Sequence, residues 1–203
     1  MKNDTLHKLG KKFGTDKVYR SATSNLSYLD IYEDFFLNNF NRDDKLNILE
    51  IGVRKGSSIR MLLEFFPNAS IYGFDINKSC NFKEKNFTFI NGNQDNITDL
   101  KKITDKCDQF NIIIDDGSHE MNHYVKTFEF LIDYVRPGGL YIIEDLYNNY
   151  MFWQPSPKSN HNNPRYADLL KHLSYKIHQS RQKLDQNPIS NFSVYPGLLL
   201  ISK

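Results

Sequence analysis

The feature that most constrains this chain is a repeated alternation of short apolar segments with helix-length segments, which begins near residue 46. The apolar segments are residues 46–51, 70–75, 87–91, 110–115 and 140–144. They are mostly apolar rather than strictly alternating, as expected for strands of a parallel sheet that helices cover on both faces. The pattern therefore predicts a doubly wound α/β fold, in which ligands bind beyond the carboxyl ends of the strands.

The C-terminal part of the chain departs from this alternation. A predicted helix over residues 166–183 is followed by two strand-like segments, 189–195 and 198–202, which only Pro196 and Gly197 separate. So tight a reversal makes the two strands antiparallel. The predicted fold is a doubly wound, mostly parallel, seven-stranded sheet closed by a C-terminal antiparallel hairpin. Plain dinucleotide-binding domains usually lack such a hairpin.

The length of 203 residues favours a single core with one additional segment. We predict an N-terminal helical arm, residues 1–45, packed on a core domain of residues 46–203. Within that domain, residues 147–165 form a long polar segment that also carries aromatic side chains. We interpret it as a lid whose Tyr147 and Trp153 contact the substrate. The alternative is that these aromatic side chains attach the loop to the core.

Composition argues against several classes of partner. Lysine and arginine total 26 against 24 acidic residues, so the net charge of +2 gives no overall attraction for nucleic acid. No apolar run approaches the roughly 20 residues of a membrane span, and no signal peptide is visible. Cys80 and Cys107 are typical of reduced thiols, so we expect a cytoplasmic protein. The apolar residues of segment 29–40 fit a homo-oligomer interface or packing within the chain equally well.

A glycine-containing turn follows the first predicted strand. Gly52 and Gly56 are spaced as G-x-x-x-G rather than the G-x-G-x-x-G of nicotinamide-binding sites, and Glu50 precedes them. A carboxylate at this position disfavours a phosphate and favours a cationic ligand that lacks phosphate. Asp75 ends the second strand, where an acid can bind both hydroxyls of a ribose. The alternative is a purely structural turn with Asp75 as a capping acid.

Acidic residues and a histidine follow the fourth and fifth predicted strands, namely Asp115, Asp116, His119, Glu144 and Asp145. Carboxylates gathered at one sheet edge repel each other unless cations or hydrogen-bond donors offset the repulsion. We predict Asp116, Glu144 and Asp145 as oxygen ligands of a divalent cation such as Mg²⁺. His119 is predicted to be the base that takes a proton from an acceptor hydroxyl. The alternative is that the His119 turn caps the following helix and the carboxylates are solvated.

A family resemblance is carried by four segments of the chain: ILEIGVRKGSSI, IYGFDI, FNIIIDDGSHEMNHY and RPGGLYIIEDL. Together they resemble S-adenosylmethionine-dependent methyltransferases, which implies a Rossmann-like methyltransferase fold. The DDGSH sequence with a downstream ED resembles, more narrowly, the metal-dependent O-methyltransferases that act on sugar hydroxyls of natural products and surface glycans. It also resembles the related group of the cephalosporin-biosynthesis methyltransferase component. The implied cofactors are S-adenosylmethionine and Mg²⁺.

The resemblance also implies which residues bind the methyl donor. Glu50 and Gly52 would line its methionine moiety, and Asp75 would bind its ribose. Gln94 and Asp95 would lie at the adenine edge, and an N-terminal GTDK sequence matches a family signature that helps to close the donor site. The implied donor-binding residues are Thr15, Lys17, Glu50, Gly52, Gly56, Ser57, Asp75, Gln94, Asp95 and Asp115.

The function expected from the sequence is Mg²⁺-dependent transfer of a methyl group from S-adenosylmethionine to a hydroxyl of a sugar or sugar-derived small molecule. One alternative has a non-sugar metabolite as the acceptor. Another is a donor-binding subunit without catalytic activity, which would not need both His119 and a complete set of three carboxylates.

Overall fold

The structure of the protein is a computed structural model, which describes residues 4–19, 25–146, 166–181 and 189–203. The strands are β1 Asn47–Ile51, β2 Ser70–Asp75, β3 Phe87–Asn91, β4 Phe110–Asp115, β5 Val135–Ile143, β6 Asn191–Tyr195 and β7 Leu198–Ser202. The α-helices of the described residues are α1 Leu6–Phe13, α2 Tyr28–Asn39, α3 Ser57–Phe65, α4 Ile97–Thr104, α5 Met121–Leu131 and α6 Tyr166–Arg181. The predicted lid, with Tyr147 and Trp153, lies outside the described residues.

The strands form one seven-stranded sheet in the order β3-β2-β1-β4-β5-β7-β6. The pairs among β1 to β5 are parallel, whereas β7 runs antiparallel to both β5 and β6. This arrangement confirms the predicted mostly parallel sheet with a C-terminal antiparallel hairpin. The strand order reverses between β1 and β4, and ligands of open α/β sheets bind at the carboxyl ends of the strands beside such a reversal.

Apolar cores cover the sheet on both faces, which explains why the central strands are apolar along their length. Ile48 and Ile114 pack on the face covered by α1, α2 and α3, whereas Leu49 and Ile113 pack on the face covered by α4, α5 and α6. Most apolar side chains of α2 belong to the first of these cores, and Phe36 is fully buried there, whereas Leu37 is exposed. Packing within the chain therefore accounts for most of the apolar residues of α2. None of the helices that the structure describes is long and apolar enough to cross a membrane.

The fifth strand and the start of α5 differ from the sequence-based expectation. The prediction began the strand at residue 140, because the Pro137-Gly138 sequence is typical of the end of a helix. Instead β5 begins at Val135, and its register with β4 shifts between Phe110 and Ile112, so that an irregularity accommodates the proline. Asparagine is a favourable N-cap residue, so the sequence predicts Asn122 as the cap of α5, but the N-cap position is occupied by Glu120.

Candidate active site

A cleft of about 1410 Å³ lies at the carboxyl ends of the central strands. Predicted site residues that line it are Thr15, Lys17, Glu50, Gly52, Ser57, Asp75, Asp116, His119, Glu144 and Asp145. They come from the N-terminal segment and from the turns after β1, β2, β4 and β5. The fold therefore brings residues that are far apart in the sequence into a single cleft.

Two glycines shape the turn between β1 and α3. Gly52 has a φ of 90°, and a Cβ atom there would lie 2.0 Å from the backbone oxygen of Asp116. Only glycine therefore allows the loops after β1 and β4 to approach so closely. Gly56, with a φ of 74°, starts α3, and a Cβ atom there would lie 2.2 Å from the ring of Phe82. Gly56 does not line the cleft but holds the turn that does.

We expect Gly52→Ala to destabilise the protein more than a matched glycine substitution in open space. Gly138 supplies the control, because it also has a positive φ, but a Cβ atom there would meet nothing within 4 Å beyond its chain neighbours. Gly138→Ala should lower the free energy of unfolding by about 1–2 kcal/mol through backbone strain. Gly52→Ala should lower it by a further ~1–3 kcal/mol through the clash with Asp116. Denaturant unfolding measures both, and equal losses would contradict the close approach.

The carboxylate of Asp75 is held by backbone amides at the end of β2. Its Oδ2 accepts hydrogen bonds from the amides of Val53, at 2.9 Å, and Arg54, at 3.1 Å. Its Oδ1 accepts one from the amide of Asn77 at 2.8 Å. These contacts agree with a structural role for Asp75. With two acceptor sites on each carboxylate oxygen, Oδ2 is fully used, whereas Oδ1 can still receive a ligand hydroxyl. The carboxylate is thus oriented in advance at the edge of the cleft.

Lys17 brings a buried positive charge among the acids of the cleft. Its Nζ lies 2.5 Å from Oδ2 of Asp116, 2.6 Å from Oε1 of Glu144 and 3.6 Å from Oε1 of Glu50. Burial alone would lower the pKa of Lys17, but these three carboxylates raise it well above its ordinary value. The side chain of Thr15 accepts a hydrogen bond from the Lys17 amide and caps the short 3₁₀ turn that carries the lysine. The GTDK segment therefore neutralises part of the acid cluster.

Glu144 points into this buried cluster and away from solvent. Its side chain is 2% exposed, and Oε1 accepts hydrogen bonds from both Lys17 and the hydroxyl of Tyr32, the latter at 2.5 Å. Burial, together with the nearby charge of Asp116, raises the pKa of Glu144. The role of Glu144 as a metal ligand stays a prediction, and it would require the carboxylate to be shared between Lys17 and the ion.

Glu50 is a buried carboxylate without a hydrogen-bond partner. It is 1% exposed, and neither of its oxygens accepts a hydrogen bond within the described residues. Burial raises its pKa to about 7, and the positive charge of Lys17 opposes this shift. Leaving a buried polar group unpaired is unfavourable by roughly 1–3 kcal/mol, and by more for a charged group. A carboxylate of this kind beside a cleft suits a ligand that brings a cation or a hydrogen-bond donor.

A second group of side chains faces the cleft beyond Lys17. Asp116, His119 and Asp145 each offer one ligand atom, and these atoms lie within 4.8 Å of one another. Asp145 also accepts a hydrogen bond from the hydroxyl of Tyr28 at 3.1 Å. His119 and Asp145 have φ values of 60° and 52°, and such strained backbone conformations cluster at functional sites. Carboxylate oxygens with an adjacent imidazole fit a divalent cation, so two of the predicted ligands lie together.

Comparison with known protein families matches the segment that carries most of these residues. Residues 49–146, which run from β1 to the turn after β5, match the family described as a methyltransferase domain. The match covers just under half of the chain, so the cleft lies in a segment that is similar to a methyltransferase domain.

Individual relatives of the chain modify sugar-bearing natural products, according to their names. The chain is 40% identical to mycinamicin VI 2''-O-methyltransferase from Micromonospora griseorubida over 116 residues, which are 54% of this chain and 29% of that protein. It is 29% identical over 180 residues to 8-demethyl-8-alpha-L-rhamnosyl tetracenomycin-C 2'-O-methyltransferase from Streptomyces olivaceus, covering 80% of this chain and 47% of that protein.

A solved structure aligns with the whole chain. The MycE methyltransferase of the mycinamycin biosynthetic pathway, in complex with Mg, SAH and mycinamycin VI, superposes with a TM-score of 0.80 and 31% identity. The alignment covers 100% of this chain and 54% of that one. The chain thus spans about half the length of these relatives, or less.

Some of the predicted donor-binding residues support the cleft without lining it. Asp115 is fully buried, and its carboxylate accepts hydrogen bonds from Nε2 of Gln94 at 3.0 Å and from the hydroxyl of Tyr141 at 3.3 Å. Oε1 of Gln94 accepts a hydrogen bond from the amide of Ser118 at 2.8 Å. Burial raises the pKa of Asp115 to about 7, whereas these hydrogen bonds favour its charged form. This network braces the loop after β4 in the position that the cleft requires.

Asp95 forms an ion pair outside the cleft. Its carboxylate accepts a hydrogen bond from Nζ of Lys126, which lowers its pKa. A direct contact of Gln94, Asp95 or Asp115 with a donor stays a prediction, since none of them lines the cleft formed by the described residues.

The sequence-based prediction gave no site role to three tyrosines whose hydroxyl groups reach the site. Tyr28 and Tyr32 lie one turn apart on α2, and they donate hydrogen bonds to Asp145 and Glu144 respectively. Their i, i+4 spacing, which places two side chains on one helix face, was the available signal. Tyr124 on α5 contacts both His119 and the turn after β5.

Proposed function

We propose that the chain transfers a methyl group from S-adenosylmethionine to a hydroxyl group of a sugar-bearing small molecule, with the help of a divalent cation. The proposal rests on the side chains that line one cleft. Its lining residues include Glu50, a buried carboxylate that accepts no hydrogen bond, together with Asp116, His119 and Asp145. The named activities of the relatives support a sugar hydroxyl of a glycan or natural product as the acceptor.

The donor side of the cleft fits a cationic ligand with a ribose. The carboxylate of Glu50, which accepts no hydrogen bond, would receive the ammonium group of the methionine moiety. Asp75, already oriented by three backbone amides, would accept a ribose hydroxyl at Oδ1. Gly52 lets the loops after β1 and β4 meet, and this contact fixes the backbone turn that lines the donor side of the cleft.

The other side of the cleft fits removal of a proton from the acceptor. When bound, S-adenosylmethionine supplies an activated methyl group and Mg²⁺ lowers the pKa of a coordinated hydroxyl. Asp116 and Asp145 would hold the ion, and Tyr28 keeps Asp145 oriented through its hydrogen bond. His119 would accept the proton, because its imidazole lines the same cleft and histidine is the side chain that most often acts as a general base.

The direct test incubates the chain with S-adenosylmethionine, Mg²⁺ and a panel of glycosylated natural products, nucleotide-linked sugars, free sugars and non-sugar metabolites that carry a hydroxyl group. Mass spectrometry should detect the gain of one methyl group on a member of the panel. Methylation of a non-sugar metabolite alone would correct the acceptor class. Binding of S-adenosylhomocysteine without any methyl transfer would support a donor-binding subunit and contradict the catalytic proposal.

Removal of divalent cations is expected to lower turnover at least tenfold, because Asp116 and Asp145 would lose the ion that activates the acceptor (about 1.4 kcal/mol or more of barrier). Turnover is measured in excess chelator and again after Mg²⁺ is restored, which should recover it. Calorimetric binding of S-adenosylhomocysteine in the same chelator should change little, since Glu50 and Asp75 do not depend on the ion. Full turnover in excess chelator would contradict the metal role.

A further inference from the structure

A chain of hydrogen bonds links His119 to the turn after β5 through Tyr124. The hydroxyl of Tyr124 donates to the backbone oxygen of Glu144 at 2.8 Å, and Nδ1 of His119 lies 2.9 Å from the same hydroxyl. The ring of Tyr124 is fully buried in the core under α5. The geometry of these two hydrogen bonds determines which atoms of Tyr124 and His119 carry a hydrogen.

The proton on each atom follows from counting donors. A tyrosine hydroxyl has one hydrogen, and a backbone carbonyl oxygen can only accept. Since Tyr124 gives its hydrogen to Glu144, its oxygen must accept the hydrogen bond from His119. Nδ1 of His119 therefore carries a hydrogen.

We propose that Tyr124 is a positioning residue that holds His119 in the Nδ1–H tautomer and leaves the lone pair of Nε2 at the cleft. Nε2 lies 3.9 Å from Oδ2 of Asp145, on the side where the acids gather. A neutral imidazole has only one nitrogen that can accept a proton or bind a cation. The consequence for catalysis rests on the proposed function, in which Nε2 accepts the acceptor's proton.

The same hydroxyl also ties together the two strained turns of the site. His119, at a φ of 60°, follows β4, and the Glu144 carbonyl immediately precedes Asp145, at a φ of 52°. Tyr124 contacts both turns from one helix, so its loss would affect orientation as well as tautomer. A purely structural strut would keep the turns in place without any preference for one nitrogen of His119. The decisive measurement must therefore report on the tautomer itself.

Two-bond ¹H–¹⁵N spectra of protein labelled at histidine nitrogens distinguish the two tautomers. The spectra are recorded at a pH of about 8, above the ordinary histidine pKa of about 6.5, and the signals of His119 are those that vanish in His119→Ala. We expect the wild-type protein to show His119 protonated at Nδ1. Tyr124→Phe should shift His119 toward the Nε2–H tautomer. A wild-type His119 protonated at Nε2, or a tautomer that Tyr124→Phe leaves unchanged, would overturn the proposal.

Tyr141→Phe provides the matched control. It also removes a buried tyrosine hydroxyl, here one that donates to Asp115, but it has no contact with His119. It should reduce stability while leaving the His119 tautomer unchanged, so a tautomer shift in this variant as well would mean that loosening of the core, and not Tyr124, is responsible.

Kinetics separate this proposal from the proposed function. Tyr124→Phe should lower kcat by roughly 10–100-fold with little change in the KM for S-adenosylmethionine, as expected for loss of a group that orients a reacting side chain. A tautomer shift without loss of turnover would keep the positioning role and contradict His119 as the base. A chain that methylates nothing would defeat the proposed function, whereas the spectra would still decide the tautomer.

Discussion

Replacing His119 with alanine should lower turnover by about 10²–10⁴-fold while leaving the affinity for S-adenosylhomocysteine nearly unchanged. The loss follows because no other imidazole lines the cleft among the described residues. Donor affinity should persist because Glu50 and Asp75 lie on other strand ends and have no contact with His119. Steady-state kinetics with a methylated acceptor and calorimetry with S-adenosylhomocysteine measure the two quantities separately.

A histidine on the far side of the domain controls for this substitution. His172 on α6 lies 3.9 Å from Glu129 and does not line the cleft, so His172→Ala should retain wild-type turnover. Manganese titration followed by electron paramagnetic resonance distinguishes a base from a ligand. Unchanged manganese affinity in His119→Ala supports the base, whereas a tenfold weaker affinity would assign His119 to the ion. Wild-type turnover in His119→Ala would remove the base assignment altogether.

The apolar segments predicted the sheet well because their pattern depends on local sequence. Continuous apolar character follows from burial on two faces, and each of β1 to β4 begins within one residue of its predicted position. The exception is β5, which contains a proline and two glycines. These residues usually mark the end of a helix or strand, but here they lie in an irregular stretch of strand. The irregularity is a shift in the pairing of β5 with β4, so the sequence of β5 alone does not indicate it.

The site was predicted at the level of strand ends but not of side-chain direction. Glu144 and Asp145 are adjacent, and both were assigned to one ion; the structure directs Glu144 to Lys17 and Tyr32, and Asp145 to the side of His119. Asp145 has a φ of 52° and leaves the extended conformation of β5, so the direction of its side chain does not follow from its place beside Glu144, and adjacent acids do not by themselves imply a shared ligand.

The buried polar contacts depend on partners that are distant in sequence. Lys17 is 99 residues from Asp116 and 127 residues from Glu144. No periodicity or spacing links such positions, although the excess of acids at one sheet edge signalled that some cation must lie there. The network of Asp115 with Gln94 and Tyr141 is equally non-local, which is why Asp115 was assigned to the cleft and not to its support.

Lys17→Met should lower the free energy of unfolding by about 3–5 kcal/mol when measured in excess chelator. The substitution keeps a long apolar side chain but removes the ammonium group that lies between Asp116 and Glu144. Their carboxylates would then remain buried or half-buried beside Glu50 without a compensating charge. Denaturant unfolding monitored by far-ultraviolet circular dichroism gives the free energy directly.

A surface ion pair and a second substitution make this test specific. Lys12 pairs with Glu64 at an exposed position, so Lys12→Met should change stability by only about 0–1 kcal/mol. Adding Glu144→Gln to Lys17→Met should recover part of the loss, because one uncompensated carboxylate is then neutral. Equal stability of the Lys17 and Lys12 variants would contradict a buried charge cluster. Since Asp116 and Glu144 are also predicted ligands, added Mg²⁺ should stabilise Lys17→Met more than the wild-type protein, in which the lysine already neutralises them.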